Sequence, residues 1–128
     1  MRTILFKAKK LSDGKWVKGS LVKTPFGTFI EWYEDSVCNK EEVDPDTVCQ
    51  FTGLKDREGK EIWEGDILLN VANDGPDGIV VFKYGAFSLL AKNGRDYCIA
   101  LTYLLSVKDS LNRFKVIGNK FDRKEGEK

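Results

Sequence analysis

The chain has 128 residues, 41% hydrophobic and 32% charged, with a net charge of +1 and no histidine. That size makes one ordinary domain or two very small ones, and the composition is that of a folded chain with a well-solvated surface. No apolar run reaches the roughly 18 residues of a membrane span, and Ile4-Leu5-Phe6 is too short for a signal peptide, so a cytoplasmic protein without membrane contact is expected.

Thr3 to Lys9 alternates, with Ile4, Phe6 and Ala8 on one face and Leu5, Lys7 and Lys9 on the other, which reads as a half-buried strand. Ser12-Asp13-Gly14 is a turn signal, and Trp16-Val17 with Leu21-Val22 forms the return strand of a hairpin. After Pro25, Thr28 to Tyr33 reads as a strand from its β-branched and aromatic content. Residues 34–48 are acidic and poorly periodic; Asp44-Pro45-Asp46 suits the start of a short helical turn, with Asp44 as cap and Pro45 first. Asp56-Arg57-Glu58-Gly59 is a tight turn joining Val48–Phe51 to Glu61–Trp63.

From Gly65 onward the pattern changes to short strands at regular spacing: Asp66–Val71, Ile79–Tyr84, Ala86–Lys92, Cys98–Leu101 and Phe114–Gly118. The breaker Asn73 to Gly78, Gly85 and the hairpin signal Asn93-Gly94 separate them, and Leu101 to Leu105 suits a short helical turn or a strand. Five such strands suggest a small barrel or roll. The tail, residues 123–128, is charged and expected to fray.

Cys38, Cys49 and Cys98 are odd in number and lack a C-x-x-C spacing, which argues against a disulfide framework or a zinc site and for free thiols packed as small hydrophobes. Charge is segregated: residues 1–25 carry seven Lys/Arg against one Asp, and residues 26–66 carry four against twelve Asp/Glu. Either the basic hairpin lies beside the acidic segment in one copy, or opposite patches on neighbouring copies attract and give a homo-oligomer.

The segment from Val43 to Leu68 contains Asp44-Pro45-Asp46-Thr47-Val48, then Gln50-Phe51-Thr52-Gly53-Leu54-Lys55-Asp56, then Gly59, then Ile62-Trp63-Glu64-Gly65-Asp66-Ile67. This closely resembles the Q-[YF]-T-G-L-x-D-x-x-G-x-x-I-[YW]-E-G-D-I signature of the YopX family, small proteins of bacteriophages and prophages, often preceded there by D-P-x-T-V. Ile4-Leu5-Phe6 leading through Gly14 to Gly19 looks like the family's opening hairpin, and Val116-Ile117-Gly118-Asn119 matches its closing motif. The likeness runs from about residue 4 to residue 122; Lys120-Phe121-Asp122 departs from the usual continuation.

The resemblance implies a mainly β, β-rich α+β architecture: a small hairpin-rich N-terminal module over residues 1–50, then an SH3-like barrel over residues 51–122. It implies no activity, because fold does not fix function. Within the signature, Gly53, Gly59 and Gly65 are read as turn positions that a Cβ would obstruct. Asp56 and Asp66 suit Asx turns, and Thr52 and Gln50 suit short-range backbone partners. With Gly118 and Asn119, these residues are assigned structural work.

An enzyme fits poorly. There is no histidine, no G-x-S-x-G, P-loop or G-x-G-x-x-G, and no cysteine provided with a base. Glu58, Glu61, Glu64 and Asp66 have no shared face on which to converge on a metal, so no catalytic residue, metal or cofactor is assigned. The favoured reading is a phage or prophage accessory protein that binds protein, itself or a host protein, through aromatic residues among Trp16, Phe26, Phe29, Trp32 and Trp63. The alternative is nucleic-acid binding by the basic first hairpin, with Lys7, Lys9, Lys10, Lys15, Lys18 and Lys23 around a Trp16 exposed enough to stack on a base. Lysines at an edge strand are equally a device against aggregation.

Overall fold

The computed structural model describes residues 3–71, 77–91, 98–101 and 113–122. It is mainly β, as expected, and divides into two compact units, residues 1–51 and 52–128.

The first unit contains β1 (Phe6–Lys9), β2 (Trp16–Thr24), β3 (Gly27–Glu34) and β4 (Val37–Glu42), with the first half of β5 (Cys49–Lys55), in the spatial order β4-β3-β2-β1-β5. Its core is Ala8, Ile30 and Val43, with Phe6, Val17, Leu21, Trp32 and Val48 packed around them. Alternation in β1 therefore holds for Phe6 and Ala8. Ile4, expected on the same face, precedes the strand and is 58% exposed.

Strand β4 corrects the irregular reading of residues 34–48. It is reached through a two-residue turn at Asp35 and Ser36, whose φ values of 51° and 66° both lie in the left-handed region, while Glu34 pairs with Val37. Tight hairpins need that backbone, and glycine or asparagine usually announces it; Asp-Ser gives a weaker signal. Cys38 then lies exposed on β4, so it is not the packed small hydrophobe expected, whereas Cys49 is buried.

Sheet geometry brings the two oppositely charged stretches side by side. The basic β2 is hydrogen-bonded along β3, which belongs to the acidic stretch, with Ser20 opposite Glu31 and Lys23 opposite Thr28. The end of β1 is tied to the acidic segment as well: Lys9 O accepts from Asp44 N at 2.9 Å, and Glu42 O accepts from Leu11 N at 3.1 Å. Basic and acidic segments are thus neighbours within one copy.

In the second unit, the rest of β5 neighbours β6 (Glu61–Trp63). A five-stranded antiparallel sheet follows, built from β7 (Asp66–Asn70), β8 (Gly78–Lys83), β9 (Ala86–Ala91), β10 (Cys98–Ala100) and β11 (Phe114–Asn119). Its order is β10-β9-β8-β7-β11, a meander whose last strand returns beside its first, the order of an SH3-like small barrel. Ile62, Leu68, Val80, Leu89, Leu101, Phe114 and Val116 make its core, with Leu54 and Phe87 against them. The Asn93-Gly94 signal, most of the Asn73–Gly78 breaker, most of the 101–105 segment and the 123–128 tail lie outside the described residues.

Gly19 sits where β2 runs closest to β3: a Cβ there would stand 2.2 Å from the Glu31 carbonyl oxygen. Backbone cannot yield as a flexible side chain can, so Gly19→Ala is expected to cost about 1–3 kcal/mol, the range for overpacking. Urea unfolding monitored by Trp fluorescence measures it, and an unchanged or raised midpoint would contradict the close approach.

Candidate functional site

The signature segment folds into two turns whose carboxylates are spent on backbone N–H groups and, for the second, on a side-chain amide as well. Asp56, 7% exposed, opens the β5–β6 turn. Its Oδ1 accepts from Glu58 N at 2.8 Å and Lys60 N at 2.9 Å, closing the expected Asx turn. Its Oδ2 accepts from Val116 N at 2.9 Å, sixty residues further along the chain, and Phe114 O accepts from Arg57 N at 3.1 Å. One turn thereby fastens itself to β11. Burial pushes the Asp56 carboxyl upward, but the backbone N–H groups of Val116, Lys60 and Glu58 outweigh it and hold the group below its ordinary value.

Asp66, 2% exposed, does the same work one turn later. Its Oδ2 accepts from Trp63 N at 2.7 Å, and its Oδ1 from Asn119 Nδ2 at 3.0 Å. Asn119 also donates to Glu64 O at 3.3 Å and accepts from Phe121 N at 3.0 Å. The closing motif and the E-G-D turn are therefore one hydrogen-bonded unit. Gly118 pairs with Ile67 just after a bulge in β11. Thr52 donates through Oγ1 to Ile62 O at 2.7 Å and accepts from Leu54 N at 3.2 Å. Gln50 stands half-buried opposite Phe6.

The glycines need one correction. At Gly53 and Gly59 a Cβ would meet nothing within 4 Å, so obstruction is not the reason for either; their φ values of 85° and 80° are. Gly53 moreover lies within β5, not in a turn. Gly65 alone of the three combines a φ of 87° with a close neighbour, the Asn119 amide at 3.2 Å.

The lead-in D-P-D-T has its own partner. Asp44 caps a 3₁₀ turn over Pro45–Thr47, accepting from Asp46 N at 3.0 Å, as expected from its sequence. Thr47 Oγ1 then accepts from Lys9 N at 2.9 Å while donating to Asp44 O at 2.8 Å, which ties the turn to β1.

Of the proposed basic contacts, the structure brings four residues together. Lys7 is directly opposite Lys18, and Lys9 is directly opposite Trp16, on one face of the β1–β2 pair. Trp16 is half-buried, with the Lys7 and Lys9 ammonium groups 4.6 Å and 5.3 Å from its ring centroid. Lys10 instead forms an ion pair with Asp13 at 3.0 Å, and Lys15 lies in the connecting turn, where its N–H donates to Asp13 Oδ1. Those contacts, the Lys15 N–H first, hold the Asp13 carboxyl below its ordinary value.

The aromatic candidates separate sharply. Phe26 is 89% exposed in the β2–β3 turn, whereas Trp63 is buried; Trp16, Phe29 and Trp32 are half-buried. Sequence reasoning missed Tyr33, Phe82 and Tyr84, at 72%, 56% and 88% exposed. Tyr84 and Gly85 form the β8–β9 turn with φ values of 55° and 80°, and the Lys83 ammonium lies 5.3 Å from the Tyr84 ring. Nothing in the local pattern marks Tyr as the residue for a left-handed turn position. Among the described residues, no cluster of three His, Cys, Asp or Glu could hold a metal ion, and no helix is long and apolar enough to cross a membrane.

Replacing Asp56 by asparagine puts an amide where one carboxylate oxygen accepts, leaving a buried backbone N–H unpaired at a cost of about 1.5–3 kcal/mol. Because the native carboxyl is held low, its contribution is complete above the ordinary aspartate range and is lost as pH falls through and below about 3.9. Thermal melts from pH 7 to pH 2 should show a steeper acid decline for the unsubstituted chain than for Asp56→Asn. Parallel curves would remove Asp56 as a source of that decline.

A family model described as YopX protein matches residues 5–125. No curated protein matches. Among solved structures, the crystal structure of protein EF1440 from Enterococcus faecalis is similar, with a TM-score of 0.53 and 20% identity, covering 93% of this chain and 94% of that one. At that identity the likeness concerns the fold alone.

Proposed function

The chain belongs to the YopX family, and we propose that it is a non-catalytic, protein-binding accessory protein of a bacteriophage or prophage, working in the bacterial cytoplasm. The observation that carries this reading is Tyr84. A non-glycine residue in left-handed backbone costs the fold about 1–2 kcal/mol, and an asparagine or glycine would relieve it. Yet the position holds an aromatic ring that is 88% exposed, two residues along the chain from Phe82 at 56%. Strain retained under an exposed, interface-prone side chain is better explained by a contact outside the chain than by folding.

The polar residues of the signature support the non-catalytic part. Asp56 and Asp66 accept from backbone or from Asn119 on both of their oxygens, which suits scaffolding rather than proton transfer. Nucleic-acid binding is the second reading, favoured by Lys7, Lys9 and Lys18 sharing a sheet face with Trp16.

Affinity capture by the tagged chain from a bacterial host lysate, with and without nuclease, tests both. A protein retained after nuclease and lost with Tyr84→Asn, a variant expected to be slightly more stable than the parent, supports the proposal. Retention by Tyr84→Asn would sink the role of that turn, and loss on nuclease treatment would favour the second reading.

A further inference from the structure

The β8–β9 hairpin runs past the core of the second unit. Val80 is paired with Leu89, and both are buried in that core. Two residues nearer the turn, on the same face of the ladder, Phe82 is paired with Phe87. Their rings meet edge to face with centroids 5.1 Å apart. Phe87 packs against the core, while Phe82 is left 56% exposed. From Phe82 through Gly85 every residue is exposed, Tyr84 most of all.

Charge is the second feature of this tip. Lys83 is the only charged side chain between Asp77 and Lys92. Its ammonium lies 5.3 Å from the centroid of the Tyr84 ring, and among the described residues it meets no carboxylate. Lys10 and Lys115, by contrast, are answered within the chain by Asp13 and Glu58.

We infer that this tip docks an acidic protein segment, in which an apolar side chain meets Tyr84 and Phe82 and a carboxylate meets Lys83. The inference rests on the protein-binding reading above and adds the chemistry of the partner. A partner that covers the Tyr84 ring also covers the ammonium beside it. Taking that charge out of water without a counter-ion is costly, so the carboxylate that the hairpin lacks has to come from the partner. The exposed rings supply most of the affinity, and the charge selects against basic and neutral partners. A nucleic acid also brings negative charge, but a phosphate backbone is held by several cations along its path, and this hairpin carries one.

The probe is a phage-displayed library of random peptides of about 12 residues, selected on the full chain after depletion on Tyr84→Asn. The peptides that survive are expected to carry Asp or Glu around an aromatic residue or Leu. The most enriched peptide is then synthesised, labelled and titrated by fluorescence anisotropy. Lys83→Glu should weaken its binding about tenfold or more, Lys83→Ala several-fold, and Lys83→Arg little. Raising NaCl from about 0.05 M to 0.5 M should weaken it several-fold. Lys83 is exposed, and far-UV circular dichroism checks that each variant keeps its fold. Neutral or basic peptides, or an affinity that Lys83→Glu leaves unchanged, overturn the inference while the Tyr84 site stands. A selection that enriches nothing overturns both the inference and the role of the Tyr84 turn. Binding of a labelled oligothymidylate that Tyr84→Asn abolishes would assign the tip to nucleic acid and overturn the inference as well.

Discussion

The structure of the second unit depends on how two buried carboxylates are satisfied. Asp56 and Asp66 are taken largely out of water, which is tolerable for a charged group only when donors replace the lost hydration. For Asp56 the donors include three backbone N–H groups, and for Asp66 they include one backbone N–H and the Asn119 amide. One donor in each set comes from β11, the last strand, while the aspartates stand before and at the start of the five-stranded sheet. Neither carboxylate is fully satisfied until the chain has returned. The outermost strand is thus fixed by polar contacts from the segment that begins the unit, in addition to its ladder with β7.

That arrangement explains why so much of the signature could be read and where the reading stopped. Asp44 before Pro45 announces its own cap, and Asp56 three residues before Gly59 announces its own turn, because the partners lie within a few residues. The contact from Asp56 Oδ2 to Val116 spans sixty residues, and nothing local encodes it. Asn119 looked like the end of a motif and proved to be the partner of Asp66. In both cases the chemistry of the residue was legible and its address was not.

Other departures have equally local causes. Strand β4 escaped notice because Asp35-Ser36 makes a left-handed turn without glycine, so the chain reverses where its composition shows only acidity. Gly53 was placed in a turn because most positive-φ glycines are found there, but it serves the backbone of a strand. Trp16 was read as open enough to stack on a base, with lysines around it. The same lysines cover it, since Lys9 is its cross-strand partner and Lys7 stands beside that pair on the same face.

The charge segregation carries a final consequence for function. Seen along the sequence, a basic first quarter followed by an acidic stretch invites association between copies. In the folded first unit, β2 and β3 set the two stretches side by side, and the β1 end is bonded to residues 42 and 44. Much of the attraction is therefore available within one copy, where closeness is guaranteed by the chain itself and no translational freedom need be given up. Large aromatic side chains, by contrast, stay in water at two hairpin turns, Tyr84 and Phe26. Apolar surface gains most from leaving water and is least sensitive to salt. It is on these surfaces, rather than on the charges, that association with another protein has most to gain.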